Sequence, residues 1–170
     1  MRSYLDILEV SPLGDGKNWI LREGFYYEYR DIRKGIDYRV NVPPKFMTDY
    51  ASIPGFLWWF GKPWGKHGMA AVIHDWLYWE QKFHGKDLDR KDADEIFHRC
   101  MVDSGVGAWK ARLMYLAVKW FARGAWKGNK KKRAEGWDRI AARWPEKAFD
   151  IPEDLQIAKQ ILASQRASKS

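Results

Sequence analysis

The stretch AAVIHDWLY, residues 70–78, decides the fold of the central part of the chain and raises the question of function. Apolar residues recur through residues 69–83 with the period of a helix. An α-helix turns by about 100° per residue, so His74 and Tyr78 lie on one face and Asp75 lies on its flank. The stretch therefore predicts a helix that can turn polar side chains into a cleft beside it.

The next segment, DRKDADEIFHRCMVDSG at residues 89–105, carries the start and stop signals of a second helix. Asp89 is a suitable N-cap and Gly105 a suitable end. The connection between the two helices is short, so we expect them to pack antiparallel. In that arrangement Asp94 approaches His74 on the first helix.

A third amphipathic helix is predicted over AWKARLMYLAVKWFARG, residues 108–124, which ends at a glycine. The sequence GNKKKR at residues 128–133 is predicted to be a basic hinge. Residues 134–147 are predicted to form one more helix, and the chain after residue 150 reads as an amphipathic tail with a frayed end.

The N-terminal part of the chain has the composition of strands. Aromatic and β-branched residues dominate 4–10, 18–23, 25–30 and 37–42, and glycines fall in the breaks between them. We expect one small antiparallel β-meander. Prolines end it, and residues 48–68 are predicted to form a long loop rich in proline, glycine and aromatic residues, a kind of loop that is often functional.

These elements together predict an α+β fold that is mostly helical, with the meander and the long loop followed by three or more packed helices. A chain of 170 residues is long enough to bury its own core. We expect a single core domain over residues 1–124 and a basic helical extension over residues 125–170.

Composition excludes several classes of protein. The single cysteine, Cys100, rules out an intrachain disulfide framework. The N-terminus does not resemble a signal peptide, which favours synthesis in a reducing cytoplasm. The longest apolar run, residues 113–122, is shorter than the roughly 20 residues that a transmembrane helix needs. We therefore expect no transmembrane segment.

The net charge of +8 comes from one part of the chain. Residues 110–147 contain twelve Lys and Arg against three acids, and several tryptophans lie among these cations. Such a segment suits an anionic lipid interface, a nucleic acid or a sugar surface. The alternative is that the tryptophans belong to the core and the cations are simply solvated. The residues predicted to bind a polyanion are Lys127, Lys130, Lys131, Lys132 and Arg133.

The polar residues on the first two helices suit acid–base chemistry. A carboxylate on one imidazole nitrogen fixes the tautomer, and the other nitrogen can then deprotonate a water. His74, Asp94 and Tyr78 are the predicted catalytic residues, with the phenol holding the carboxylate. The alternative is that the same residues only organise the junction between helix and loop.

Two further carboxylates are candidate metal ligands. Asp75, with Asp49 as an additional carboxylate, can help loop carbonyl oxygens to hold Ca²⁺ or another divalent ion. Arg90 precedes Asp94 by four residues and is expected to form an intrahelical pair with it or to anchor the loop. Ser52 is expected to support the loop by turn hydrogen bonds. No organic cofactor is expected, and zinc or HD-type phosphohydrolase sites need further ligands that the sequence does not place.

The sequence HDWLY resembles the H-D-x-x-Y helix of secreted phospholipases of the A-two type, and AAVIHD is similar to the helix of parvovirus capsid phospholipases. The resemblance implies that His74 is a general base, that Asp75 binds calcium, and that Asp94 and Tyr78 orient the histidine. Residues 58–68 do not reproduce the calcium-loop signature of that family, and its disulfides cannot form here.

A broader resemblance covers residues 37–122. The ordered motifs TDYASIPGFLWW, AAVIHDWLY, RKDADEIF and ARLMYLAV are similar to the phage and prophage family known as domain of unknown function 1353. The resemblance implies that the motif positions in this chain are Asp49, Ser52, Pro54, His74, Asp75, Tyr78, Arg90 and Asp94. The resemblance implies a phage or prophage origin, in the host bacterial cytoplasm or in association with the virion, but it brings no established activity.

Two functions from different classes follow. The first is a hydrolase, a metal-dependent esterase or phospholipase-like enzyme with a His-Asp site, acting at a lipid or cell-envelope interface. The second is a non-enzymatic phage protein, for the virion, for assembly or for host takeover, that binds nucleic acid or a protein partner through its basic C-terminal face. The oligomeric state stays open.

Overall fold

The structure is a computed structural model that describes residues 4–14, 18–31, 35–49 and 66–144. It confirms an α+β fold with the strands at the N-terminus. The strands are β1 (Tyr4–Leu5), β2 (Val10–Pro12), β3 (Trp19–Leu21), β4 (Phe25–Asp31), β5 (Ile36–Val42), β6 (Met47–Thr48), β7 (Lys82–Phe83) and β8 (Lys86–Asp87). The helices are α1 (Lys66–Glu80), α2 (Arg90–Asp103), α3 (Ala108–Phe121) and α4 (Arg123–Ala134).

The expectation of one β-meander is wrong, because the strands form two separate three-stranded antiparallel sheets. Their orders are β1-β4-β5 and β2-β3-β6. The predicted strand over residues 4–10 is divided between them, since Tyr4 pairs with Glu28 whereas Val10 pairs with Leu21. The hairpin of β4 and β5 was predicted and is confirmed.

The β4–β5 hairpin supplies one side of the main core. Phe25, Tyr27 and Tyr29 are buried on alternate positions of β4, as expected for a strand with one face on a core. They belong to one apolar cluster with residues of α1 and α2, such as Ile73 and Phe97. The hairpin therefore packs against α1 and fixes its position.

Helix α1 begins earlier and ends earlier than the sequence indicates. It starts at Lys66, inside the predicted 48–68 loop, and stops at Glu80. Gln81 has a φ of 51°, and the β7–β8 hairpin follows it. A positive φ ends a helix, because it turns the next residue out of the helical path. Residues 50–65 of the predicted loop lie outside the described residues.

Helices α2 and α3 confirm two of the predicted helices. Asp89 occupies the N-cap position of α2, although its side chain makes no capping hydrogen bond, and Gly105 follows the helix with a φ of 78°. Helix α3 ends at Phe121 rather than at Gly124, and Gly124 lies in the first turn of the next helix.

The predicted basic hinge at residues 128–133 is wrong, because these residues lie inside α4. Asn129 and Arg133 lie one turn apart, and both donate to carbonyl groups near the C-terminus of α1. Lysines and arginines also fill the last turn of α4, where cations are favoured by the helix dipole. These interactions explain why the basic segment is helical.

The helix predicted over residues 134–147 is also wrong within the described residues. Gly136 has a φ of 81° just after the end of α4. The chain then runs beside residues 45–47, where the Met47 N–H donates to the Arg139 carbonyl over 2.7 Å. Phe46 and Ile140 form an isolated antiparallel bridge. This return of the chain brings Arg139 next to Asp49, beside α1.

The described part of the C-terminal segment contacts the core, although the domain boundary at residue 124 stays a prediction. Ala141 is buried in a small apolar cluster with Leu13, Ile20 and Met47. Trp126 packs edge-on against Tyr78, with ring centroids 5.0 Å apart. Within the described ranges, no helix is long and apolar enough to cross a membrane.

Candidate active site

His74 and Asp94 are in direct contact between α1 and α2. His74 Nε2 lies 3.0 Å from Asp94 Oδ1, and both side chains are buried. This contact confirms the predicted approach of the two helices. It follows from the position of each residue on the face of its helix that meets the other.

The Asp94 carboxylate receives two more donors. The Tyr78 hydroxyl donates to Asp94 Oδ1 over 2.6 Å. Arg90 Nη1 donates to Asp94 Oδ2 over 2.7 Å and also approaches the carbonyl of Val118, at 3.3 Å. The expected Arg90–Asp94 pair is thus confirmed. The buried Asp94 carboxylate thus accepts three hydrogen bonds, and one of the three donors is a guanidinium that balances its charge.

The imidazole of His74 packs against two aromatic rings. Its centroid lies 4.1 Å from that of Tyr78 and 4.6 Å from that of Phe97. Burial lowers the pKa of His74, against the opposing effect of the Asp94 hydrogen bond. The ring is therefore neutral at neutral pH.

The contact with Asp94 also determines which ring nitrogen of His74 carries the proton. A carboxylate only accepts hydrogen bonds, so the Nε2 that faces Asp94 is the donor. In the neutral ring, Nδ1 then keeps its lone pair. The arrangement prepares a nitrogen that can accept a proton.

Asp75, the next residue in the chain, belongs to a different network. Its carboxyl accepts the Thr48 hydroxyl, which lies 2.5 Å from Oδ2, and the backbone N–H of Asp49. Asp49 is in turn paired with Arg139, with 3.2 Å between Oδ2 and Nη2. Two carboxylates therefore share one guanidinium beside α1.

Burial and a neighbouring carboxylate change the ionisation of Asp75. Burial and the neighbouring Asp49 carboxylate raise the pKa of Asp75 to about 7, although Arg139 and the Thr48 hydrogen bond lower it. A carboxyl that titrates near neutral pH differs from an ordinary surface aspartate. Such groups are found more often at functional sites than elsewhere.

Both networks open onto one cavity of about 330 Å³. His74, Asp75 and Tyr78 line it from α1, and Phe97 lines it from α2. A volume of this size suits a small ligand or one end of a larger one. The polar residues of AAVIHDWLY are therefore not sealed into the core.

The opposite wall of the cavity comes from α4 and the segment after it. Gly124 and Gly128, one turn apart, leave space on that wall and Lys132 brings a cation to it, whereas Arg139 lies beside Asp49. Asn129 also lines the wall and donates to the Tyr78 carbonyl over 3.2 Å. Sequence reasoning missed this wall, although the four-residue spacing of its glycines was a signal of a helical face.

The five cations predicted to bind a polyanion do not form one surface. Arg133 donates to the carbonyls of Trp79 and Glu80 and so stabilises the C-terminal end of α1. Lys132 lines the cavity. Lys127, Lys130 and Lys131 are exposed. Polyanion binding by any of them stays a prediction.

The predicted metal ligands Asp75 and Asp49 lie side by side, but they supply only two carboxylates. Ca²⁺ takes about six to eight oxygen ligands. Among the residues that the structure describes, no group of three or more His, Cys, Asp or Glu could hold a metal ion. Arg139 already provides a cation to Asp49. The described residues therefore do not fit a complete divalent site, and Ser52 lies outside them.

Comparison with known proteins identifies related sequences. The family described as "Protein of unknown function (DUF1353)" matches residues 19–118. A protein of Sinorhizobium fredii (strain NBRC 101917 / NGR234), described as "Uncharacterized protein y4iH", is 36% identical over 107 residues. That match covers 62% of this chain and 41% of the relative, so the chain spans less than half of the relative's length. No solved structure matches.

Proposed function

This chain belongs to the DUF1353 family, a family of unknown function, and from that premise we propose that it is a hydrolase that cleaves an ester bound in the cavity. His74 acts as the general base in this proposal. The observation that carries it is the contact between His74 and Asp94 at the wall of an open cavity. Family membership itself brings no activity, so the proposal rests on this geometry.

The proposed reaction begins when His74 Nδ1 accepts a proton from a water molecule in the cavity. The resulting hydroxide attacks the ester carbonyl, and the imidazolium that forms is stabilised by Asp94. The proton then passes to the leaving alcohol as the carbon–oxygen bond breaks, which restores neutral His74. Tyr78 and Arg90 keep Asp94 in place throughout.

Lys132, on the α4 side of the cavity, favours an ester that carries an anionic group. Lys132 and Arg139 line the same cavity as His74. A lysine at the cavity wall attracts an anionic substrate and stabilises the negative charge that develops on the carbonyl oxygen, whereas Arg139 is already paired with Asp49. A phage or prophage origin and a substrate at a lipid or cell-envelope interface are parts of the proposal that rest on the sequence resemblance.

The test compares the purified wild type with His74→Gln and His98→Gln on a panel of esters. The panel contains acetyl and butyryl nitrophenyl esters and phosphatidylglycerol vesicles, each with added Ca²⁺ and with a chelator. His98 is a matched control, because it lies on α2 against Tyr115 and is absent from the cavity wall. The proposal expects hydrolysis by wild type and His98→Gln and a loss of about 100-fold or more in His74→Gln.

Two results would overturn the proposal. One is no hydrolysis of any ester of the panel by the wild type in either condition. The other is equal hydrolysis by all three proteins, which would assign the activity to a contaminant or to another site. Comparison of the Ca²⁺ and chelator arms also decides whether a divalent ion belongs to the reaction.

A second candidate is non-enzymatic binding of a nucleic acid or protein partner through the basic C-terminal face. Residues 104–134 contain nine Lys and Arg and no acid, which favours this role. Charge reversal of Lys127, Lys130 and Lys131 should abolish partner binding if this role is correct. The same three changes should leave ester hydrolysis unchanged, because these lysines are absent from the cavity wall.

A further inference from the structure

Helix α3 carries apolar side chains on two opposite faces. Its inner face is part of the core, where Met114 and Val118 are almost fully buried. On the outer face, Trp109 is 66% exposed, Trp120 is 67% exposed and Leu113 is 40% exposed. An amphipathic helix packed on a core needs only one apolar face, yet the outer face of α3 is apolar as well and remains largely exposed.

The outer residues are arranged as a continuous stripe. Positions 109, 113, 116 and 120 fall within an arc of about 60° on a helix that turns about 100° per residue. We call Trp109, Leu113, Leu116 and Trp120 the α3 stripe. Phe121, in the last turn of the helix, is also 62% exposed but lies outside this arc. Contiguous exposed apolar patches of this kind mark interaction surfaces.

Cations border the α3 stripe. Arg112 and Lys119 lie along one side of it, Lys110 lies on the other, and Arg123 follows its end. Residues 104–134 contain no acid, so this segment carries only positive charge. The combination is an apolar stripe within a field of cations.

We propose that the α3 stripe docks the protein on the surface of an anionic phospholipid bilayer. Tryptophan is favoured at the boundary between headgroups and acyl chains, and leucine and phenylalanine gain by burial there. Each cation near an anionic membrane surface contributes further attraction. The helix would lie in the plane of the membrane, with the stripe inserted and the cations among the headgroups.

Other occupants fit the surface less well. Single-stranded nucleic acid binds in grooves where bases stack on flat rings, whereas the stripe is convex and half of it is leucine. A second copy of this chain, related by a two-fold axis, would bring two such cationic surfaces together, which repulsion opposes. The charge therefore favours an anionic lipid surface.

The inference goes beyond the hydrolysis proposed above and does not depend on it. The two proposals nevertheless agree in space, since Ala122 and Gly124, which line the cavity, follow directly after the stripe. Docking through α3 would hold this end of the cavity near the lipid surface. Because docking does not depend on hydrolysis, membrane binding by His74→Gln should equal that of the wild type.

The experiment measures flotation of the full chain with two kinds of vesicle. One kind contains equal parts of phosphatidylglycerol and phosphatidylcholine, and the other contains phosphatidylcholine alone. The double variant Trp109→Ser/Trp120→Ser removes the two indoles, one at each end of the stripe. Its matched control, Ile7→Ser/Ile36→Ser, removes two exposed apolar side chains elsewhere, at 78% and 48% exposure. Melting temperatures confirm that all proteins are folded.

We expect the wild type to float with the anionic vesicles and not with phosphatidylcholine. The tryptophan variant should bind the anionic vesicles about tenfold or more weakly, because two indoles lose their burial. The isoleucine control should bind as the wild type does. Lys119→Glu/Arg123→Glu should also weaken binding, whereas Lys82→Glu/Lys86→Glu, on the β7–β8 hairpin, should do so far less.

Several results would overturn the proposal. Equal binding by the two serine variants would show that the stripe is not the contact. Binding to an oligothymidine but not to vesicles would assign the surface to nucleic acid. A dimer in solution that only the tryptophan variant loses, without vesicle binding, would assign it to a second copy. Absence of wild-type binding, with a lower melting temperature in the tryptophan variant, would mean that the stripe is covered by the protein's own chain.

Discussion

His74 and Asp75 are neighbours in the chain, yet they belong to two networks of opposite character. His74 faces α2, where the single carboxylate of Asp94 is matched by Arg90. Asp75 faces the strand end, where it and Asp49 share Arg139. The first network is balanced in charge, whereas the second, among the residues that the structure describes, has two carboxyl groups for one guanidinium.

The two networks give His74 and Asp75, neighbours on one turn of α1, different roles. A balanced network can fix the orientation and tautomer of His74 without changing its own charge near neutral pH. An unbalanced network responds to pH and to any cation that enters the cavity, because the pKa of Asp75 lies at about 7. The following substitutions test this contrast, and their expected effects become smaller in turn.

Asp94→Ala should produce the largest change in the free energy of unfolding. It leaves the Arg90 guanidinium, the His74 Nε2–H and the Tyr78 hydroxyl without their acceptor, so we expect a loss of about 3–5 kcal/mol in the free energy of unfolding. Urea denaturation measures it. Asp92→Ala, at an exposed position in the first turn of the same helix, is the control. A loss no larger than that of the control would show that the network is not balanced around Asp94.

Asp75→Asn should act in the opposite direction. The folded-state pKa of Asp75, about 7, lies above its ordinary value of 3.8, so folding opposes ionisation. The wild type therefore has this contribution in full below pH 3.8 and loses it as the pH rises through 7. Asparagine cannot ionise, so we expect the variant to be more stable than wild type at pH 8 by on the order of 2 kcal/mol.

The pH dependence distinguishes this effect from simple repacking. The difference in unfolding free energy between Asp75→Asn and wild type should fall toward zero near pH 4. Asp37→Asn, at an exposed aspartate paired with Arg30, should show no comparable trend. If Asp75→Asn were less stable than wild type at pH 8, the charge imbalance assigned to this network would be incorrect.

Thr48→Val tests the same network from the donor side. The Thr48 hydroxyl hydrogen-bonds to Asp75 and lowers its pKa, so its removal should raise that pKa further. We expect a loss of about 1–2 kcal/mol at pH 8, where Asp75 is ionised, and a smaller loss near pH 5. Thr48→Ser keeps the hydroxyl and should keep the pH dependence of the wild type. Identical losses by both variants at both pH values would contradict this account.

Tyr78→Phe should produce the smallest change of the four. Asp94 loses one of its three donors but keeps Arg90 and His74, so we expect a loss of about 1 kcal/mol in stability. Hydrolysis, if present, should fall by a few fold rather than disappear. A loss as large as that of Asp94→Ala would mean that Tyr78, and not Arg90, holds the carboxylate.

The sequence predicted the balanced network because its geometry is local. Tyr78 follows His74 by four residues, Arg90 precedes Asp94 by four residues, and a short connection joins the two helices. Helical periodicity alone places such residues on matching faces. The predicted contacts are confirmed, whereas the catalytic role of these residues stays a prediction.

The unbalanced network and the far wall of the cavity could not be predicted in the same way. Arg139 reaches Asp49 only because residues 139–141 return beside residues 45–47. The local periodicity of a sequence cannot predict an ion pair between residues that are about ninety positions apart. The run of cations in α4 was misread as a hinge for a related reason, since the carbonyls that Asn129 and Arg133 bind belong to another helix.

The strand pairing was mispredicted for the same physical reason. Composition correctly placed strands in the first part of the chain, but alternation does not reveal which strand is the neighbour. Residues 4–10 read as one strand, and their two ends pair in different sheets. The β4–β5 hairpin was predictable, because its two strands follow each other closely.

The central claim is that Asp94 holds His74 as a neutral imidazole with its proton on Nε2 and a free lone pair on Nδ1. Long-range ¹H–¹⁵N NMR of the histidine rings, with His74 assigned by loss of its signals in His74→Gln, tests this directly. We predict a neutral His74 ring with Nε2 protonated near pH 7, and a pKa below the ordinary histidine value of 6.5. A His74 ring that is protonated on Nδ1 alone, or that is still an imidazolium near pH 7, would contradict it.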